Sequence, residues 1–523
     1  MLKKIFLYYN TIKYLKPVQV KYQLYYRFNK YLKKNIKLKE GFDESKIDEN
    51  ITLIPSIDSY KRYHGDYRFE FLNKIKDFKQ KVDWNFNEYG KLWTYNLNYF
   101  EYLHQSQIDF EEGTKLIDDF INNIYSIKDG LEPFPTSLRI INWIKFLLKY
   151  KVKKQRINQS LFSQSFFLYE NIEYHLQGNH LLENAFALLY AGIYFNNKKL
   201  IGKAEEIISV QLEEQILPDG AHFELSPMYH QLIFFRMLDT INIVNNSKYH
   251  NSEISKLLNN KAGLMYSWLD NITFSTGDIP LFNDSAPGIA PKTEELIKYA
   301  KRLGLHDTQK SLRESGYRKF VGKNYEMVID TGKIGPDYIP GHGHNDIFSY
   351  VLYIRNNPVI VDTGTSVYGG DSKRRIIERA TGAHNTVTVD KIEQSEIWGD
   401  FRVARRSIPE IVAEDENMLV VEYVHFSKKY KHRREFFINE SGIEIIDKIS
   451  PKHNSTSHLH FDNDIFPKIE NNIIDLSYCK IKVKGGILKE KQYMQAKGFG
   501  ELKPSKKVEI DFKENLIITI SVI

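Results

Sequence analysis

Apolar residues change their period along this chain near residues 315–325, and no other feature constrains the fold as much. Upstream, from about residue 70 to 320, Ser137–Tyr150, Leu181–Phe195, Lys203–Gln215 and Tyr229–Val244 carry apolar residues at three- and four-residue spacing, as helices with a buried face do. Breaks at Asp129-Gly130, Gln177-Gly178-Asn179, Pro218-Asp219-Gly220 and Gly277-Asp278 separate them. Downstream, Met327–Asp330, Ser349–Arg355, Val359–Val361, Thr386–Val389, Leu419–His425 and Leu516–Val522 are short, β-branched and turn-bounded, the signature of sandwich strands. A run of helices followed by a run of strands predicts two domains, and 523 residues exceed what one core accommodates. The expected bounds are an arm over 1–60 packed on the helices, a helical domain over 61–320 and a β-sandwich over 321–523. No strict repeat is visible, which argues against a simple solenoid.

Net charge is +7, but the lysines are scattered, so the charge does not point to nucleic acid and no nucleic-acid partner is expected. The 34 Tyr and 32 Phe suit sugar-binding grooves, although packing uses most such side chains. A single cysteine, Cys479, rules out an internal disulfide. The opening apolar run, Ile5 to Tyr9, is broken by Asn10, Thr11 and Lys13 and is too short for a signal-peptide core. The expectation is therefore a cytoplasmic protein, or a periplasmic one if export takes another route. No stretch approaches the roughly 20 apolar residues that span a bilayer. Lys and Arg beside Leu, Tyr and Phe in the first residues leave peripheral membrane contact as an alternative to a helix packed on the domain.

Three clusters carry residues suited to chemistry. In Gln177-Gly178-Asn179-His180-Leu181-Leu182-Glu183, Asn179 is the expected N-cap, and Glu183 shares a helix face with His180, where it would orient the imidazole and raise its pKa. In Asp219-Gly220-Ala221-His222-Phe223-Glu224-Leu225-Ser226-Pro227-Met228-Tyr229-His230, Ser226 followed by Pro227 predicts a helix start that sets Tyr229 and His230 at the rim of the array. In Gly341-His342-Gly343-His344, alternation puts both histidines on one face. His344 with Asp362 and His384, 18 and 22 residues apart in turn, has the composition of a zinc shell drawn from neighbouring strands.

These clusters, with Trp93-Thr94-Tyr95-Asn96-Leu97-Asn98-Tyr99-Phe100 and Phe134-Pro135-Thr136-Ser137-Leu138-Arg139-Ile140-Ile141-Asn142-Trp143, resemble the heparinase II/III family of polysaccharide lyases over about residues 90–400. The opening Tyr-Leu-Lys-Pro-Val-Gln tract resembles family members associated with bacterial surface-polysaccharide assembly. The resemblance implies an incomplete α/α toroid followed by an antiparallel β-sandwich, with a cleft between them. It implies that Asn179 neutralises a substrate carboxylate, that His180 and Tyr229 are catalytic, and that His342 reaches the cleft from the sandwich. It also implies one structural zinc held by His344, Asp362 and His384. Arg139, Glu183, His230 and Tyr368 are the candidates for contacting substrate around them.

Such groups suit β-elimination of an acidic polysaccharide. A uronate C5 proton becomes acidic only when its carboxylate is neutralised, a base must take it, and an acid must protonate the departing O4. A uronate C5-epimerase would share the first two requirements and lack the third. A glycan-binding assembly protein would need neither a base nor an acid.

Overall fold

The computed structural model describes residues 2–29, 36, 38–48, 50–369 and 372–523. Twelve α-helices appear among them: α1 (Leu2–Ile12), α2 (Pro17–Asn29), α3 (Lys91–Tyr99), α4 (Phe110–Asn123), α5 (Pro133–Tyr150), α6 (Gln155–Glu170), α7 (Gly178–Tyr194), α8 (Lys198–Gln215), α9 (Pro227–Asn245), α10 (Ser252–Ile272), α11 (Thr293–Arg302) and α12 (Ser372–Arg379). The first ten residues or so of the expected helical region instead contain a hairpin, Arg68–Phe71 paired with Lys74–Asp77. Phe69 and Phe71 point inward from it, a period-two pattern too short to stand out in the sequence.

Helices α3, α5, α7, α9 and α11 pack each against the next, while α4, α6, α8 and α10 form a second row. This is an incomplete α/α toroid. Burial separates the two rows. In α7 every residue except His180 is buried, whereas α8 buries only one stripe, from Leu200 to Gln215. In α9 only Tyr229, Leu232 and Asn245 escape full burial. Of the inner helices, α7 and α9 thus have almost no surface to present except in their first turns, and those turns carry His180 and Tyr229.

The strands of the second domain begin at Tyr317. An antiparallel sheet of Tyr317–Val321, Tyr325–Asp330, Tyr350–Ile354 and Asn357–Ile360 is joined by an Ile360–Phe461 bridge to a second, made of Ile487–Gly498, Glu501–Phe512, Ser455–His460 and Val387–Val389. An eight-stranded antiparallel sheet, in which Lys431–Asn439, Gly442–Ser450 and Asn515–Val522 lie side by side, faces them. Met327, Leu352, Leu459, Val508, Phe436, Ile445 and Ile518, drawn from all three sheets, share one apolar core, which makes the β-sandwich.

The two domains are not separate bodies. Tyr317, Val328 and Val351 of the first sheet belong to the core of the helical domain. The Asp219 carboxylate accepts from Arg313 N (3.0 Å), Ser315 N (2.9 Å) and Ser315 Oγ (2.7 Å), closing the junction. The arm is no simple wrap on the helices either. Tyr26 of α2 donates to Ile172 O of the helical domain, while Thr11 of α1 accepts from Trp398 Nε1 of the sandwich (2.9 Å) and Tyr8 packs edge-on to the same indole. The arm bridges both domains.

Candidate active site

The chain enters α7 through two left-handed residues, Gln177 (φ 64°) and Gly178 (φ 57°). A Cβ on Gly178 would stand 2.8 Å from Glu224 Oε1 and 3.0 Å from Ile339 Cδ1, so only glycine fits there. The close approach lets Asn179 N donate to Glu224 Oε1 (3.4 Å). Gln177, not Asn179, is the N-cap, and Asn179 lies in the first turn with its side chain nearly buried.

His180 is also oriented differently from the sequence expectation. Its Nδ1 lies 3.4 Å from Glu173 Oε2 and its ring packs on Phe134 at 4.6 Å. Burial alone would pull the imidazole pKa down, but the Glu173 carboxylate outweighs it and the net shift is upward. Glu173 is itself fixed, since Asn184 Nδ2 donates to it (3.2 Å) and Glu173 N donates to Asn184 Oδ1 (2.8 Å). Glu183, expected to hold His180 and to contact substrate, is buried and points to Arg236 at 3.2 Å. One turn further on, Arg236 faces Asp239, which binds Lys145 at 2.6 Å, so Glu183 belongs to a buried ionic array inside the toroid.

At the start of α9 the Ser226 hydroxyl caps the helix by accepting from Tyr229 N (3.2 Å) and donates to Asp284 O (2.7 Å). Tyr229 is thereby held with its ring 4.1 Å from that of His342. Burial pushes its phenol pKa up, opposed by the neighbouring Tyr368 hydroxyl, so Tyr229 rests protonated. Tyr368 packs against Phe499 (4.7 Å) and Phe401 (5.9 Å), and together with Phe401 it flanks His342. It therefore lies beside His342.

His342 and His344 do face one side, although their segment is an irregular loop. Gly343 between them passes so close to Ile334 that a Cβ would overlap its carbonyl oxygen. Both rings meet one carboxylate: Asp284 Oδ2 lies 2.8 Å from His342 Nδ1, and Oδ1 lies 2.8 Å from His344 Nε2. Arg375 of α12 binds the same two oxygens through Nη1 and, at 2.6 Å, Nη2. Despite complete burial, Arg375 and the two histidines hold Asp284 well below the ordinary carboxylate range. The other ring nitrogen of His342 lies 3.5 Å from Glu224 Oε2. Burial raises the Glu224 pKa, and His342 only partly offsets that. Glu224 thus links Asn179, from the toroid, to His342, from the sandwich, with the Tyr229 ring packed against His342.

Behind this layer, His384 Nδ1 lies 2.7 Å from Asp362 Oδ2, and the rings of His344 and His384 are 5.3 Å apart. Both rings are fully buried, and His344 Nδ1 and His384 Nε2 lack hydrogen-bond partners. Buried imidazole nitrogens left unmatched in this way suit a metal ion. Among the described residues, no three His, Cys, Asp or Glu side chains converge closely enough to form a shell.

Two more of the expected substrate contacts, besides Glu183, lie elsewhere. Arg139 is fully buried, and its guanidinium donates to Gln164 Oε1 (2.7 Å), Asn98 O (3.1 Å), Gly130 O (2.8 Å) and Thr136 Oγ1 (3.0 Å). It clamps α3, α5 and α6 from inside the core, with four of its five N–H donors bound there. His230 accepts from His222 N (3.2 Å) and donates to Met265 O (3.0 Å), and burial lowers its pKa to about 3. It is a neutral core histidine. The partners that sequence reasoning missed are Glu173, Glu224, Asp284 and Arg375; of these only Glu224 stood within a cluster singled out, and none has a spacing that marks it.

Comparison with known proteins agrees with this two-domain layout. The family Heparinase II/III N-terminus matches residues 138–310, and Heparinase II/III-like, C-terminal, matches 306–496. A heparin-sulfate lyase of Bacteroides stercoris is 26% identical over 351 residues, covering 60% of this chain and 50% of its own length. One of Pedobacter heparinus is 23% identical over 437 residues, covering 74% and 61%. The chain thus spans about half to three-fifths of the length of these curated relatives. Among solved structures, heparinase III superposes with a TM-score of 0.67 at 17% identity over 97% of this chain and 92% of its own. A heparan sulfate lyase from Pedobacter heparinus gives 0.58 at 16% identity over 97% and 88%.

Proposed function

The chain belongs to the heparinase II/III family, and on that premise we propose that it cleaves an acidic, uronate-containing polysaccharide by β-elimination. The observation that carries this reading is the packing of Tyr229 against His342 at 4.1 Å, with Asn179 joined to His342 through Glu224, at two inner-helix first turns that also carry His180. Asn179 and His342 take the substrate carboxylate, withdrawing charge so that C5–H becomes acidic. His180 accepts the C5 proton, the C5–H electron pair becomes the C4–C5 double bond, and the C4–O4 bond breaks. Tyr229, protonated at rest, delivers its proton to O4. The names of the relatives make heparan-type glycosaminoglycans the first substrates to try, and the resemblance of the opening tract favours a role in surface-polysaccharide metabolism.

The test is incubation with a panel of uronate polysaccharides in deuterated water, reading both ultraviolet absorbance of new unsaturated ends and deuterium at C5. We expect unsaturated ends and shortened chains, both lost in Tyr229→Phe. Deuterium in uncut polymer without unsaturated ends would replace the lyase with an epimerase.

The proposal includes one structural zinc at His344, Asp362 and His384; the two unmatched ring nitrogens there support it, and binding would have to draw the three side chains closer together. When bound, the metal would clamp the His342–His344 loop to the strand region behind it and touch no substrate. Metal analysis should find about one zinc per chain, and a chelator should lower the melting temperature. Metal-free protein with unchanged melting would remove the zinc and leave the elimination chemistry standing.

A further inference from the structure

Residues 1–39 contain eleven Lys and Arg and no Asp or Glu, while the whole chain has a net charge of only +7, so the remainder is net negative. Helices α1 and α2 lie in this segment. Each turns one side to the protein: Asn10 and Thr11 on α1, and Gln19 and Tyr26 on α2, are buried or half-buried. The opposite sides are apolar and exposed. Ile5 (58%), Tyr9 (64%) and Ile12 (53%) follow one another at helical spacing on α1, and Val20 (40%), Leu24 (52%) and Phe28 (80%) do so on α2. Lys4, Lys13, Lys21 and Arg27, all exposed, flank these stripes.

We propose that the α1–α2 pair docks the protein on an anionic lipid surface. Exposed aliphatic and aromatic stripes bordered by cations match the boundary between acyl chains and acidic headgroups. Charge complementarity selects this occupant. A second copy of the chain meeting this face through a two-fold axis would bring like charges together. A soluble acidic glycan would satisfy the lysines and leave Ile5, Ile12, Leu24 and Phe28 in water. Among the described residues no helix is long and apolar enough to cross a membrane, so the contact is peripheral. Since the arm also touches the sandwich at Trp398 and the toroid at Ile172, it would present both domains, and the cleft between them, to the membrane surface.

The test is co-sedimentation of the full chain with phosphatidylcholine vesicles made with or without phosphatidylglycerol. We expect binding to the anionic vesicles only, weakened by salt. Two variants are compared, one with Ile5, Ile12, Leu24 and Phe28 changed to Ser and one with Lys4, Lys13, Lys21 and Arg27 changed to Gln. Each should lower partitioning about tenfold or more, with circular dichroism unchanged because every position is exposed. Wild-type protein that stays in the supernatant with anionic vesicles would overturn the proposal, whatever the variants do. So would a serine variant that binds as wild type and is displaced by dextran sulfate, because the face would then be a polyanion site. Neither result bears on cleavage of polysaccharide in solution.

Discussion

Glu173 is the main group raising the pKa of His180 against its burial, which gives the proposed base a pH signature. A base must be neutral to accept a proton, so activity should rise with pH as His180 deprotonates. Glu173 holds the imidazole pKa above its ordinary value and so sets that rise at higher pH. Glu173→Gln removes the charge, lowers the His180 pKa and should move the acid limb of kcat/KM to lower pH; an unmoved limb would take His180 out of the base role. Asp284 acts one step further back, as a positioning residue for His342. Asp284→Asn keeps the shape but cannot answer Arg375 and two imidazoles, and activity should fall about 10- to 100-fold, as when other second-layer partners are lost. Rescue by Asp284→Glu, even partial, would separate charge from simple damage to the fold. Neither partnership was legible in the sequence. Asp284 lies 58 residues from His342 along the chain, and a lone Asp between Asn283 and Ser285 carries no mark.

Secondary structure was far more legible than contacts. Leu181–Phe195 and Tyr229–Val244 were read from apolar spacing, and the helices run Gly178–Tyr194 and Pro227–Asn245. The Ser226-Pro227 start is legible because an N-cap followed by proline is a local device. The start of α7 is not legible in the same way, because Gln177 adopts a positive φ that a Gln gives no reason to expect. Among the strands, Lys431–Asn439 contains a buried ionic knot. Arg434 donates to Asp447 through Nε (2.7 Å) and Nη2 (2.8 Å), and through Nη1 to Phe348 O and Asn385 O, both at 2.8 Å. It ties the eight-stranded sheet to the loop regions beside His344 and His384. Although burial opposes ionisation, Arg434 and His432 lower the Asp447 pKa to about 2. A depressed carboxylate stabilises the fold above its unfolded pKa, and that stabilisation is lost as pH falls from the ordinary aspartate range to about 2. It amounts to about 2 kcal/mol. Asp447→Asn should cost about 3–5 kcal/mol at neutral pH, since it leaves Arg434 buried and unpaired, and should flatten the acid limb of a melting-temperature profile. A loss below about 1 kcal/mol would show that the knot is relieved by water.

At the scale of the whole molecule, the core of the toroid runs on into the first sheet through Tyr317, Val328 and Val351. Two-domain proteins often melt in stages. Here a single calorimetric transition is expected, because unfolding the sandwich would uncover the toroid core and strand Asp219 and Asp284. Two resolved transitions in the wild-type protein would contradict this coupling. The shared carboxylate also bears on how such a chain can change over time. Asp284 comes from the helical half, and Arg375, His342 and His344 come from the other, so a chimaera joining halves from two relatives inherits either both members of the Asp284–Arg375 pair or a buried charge without its counterion. Recombination at the domain boundary is therefore constrained to lineages that keep this pair.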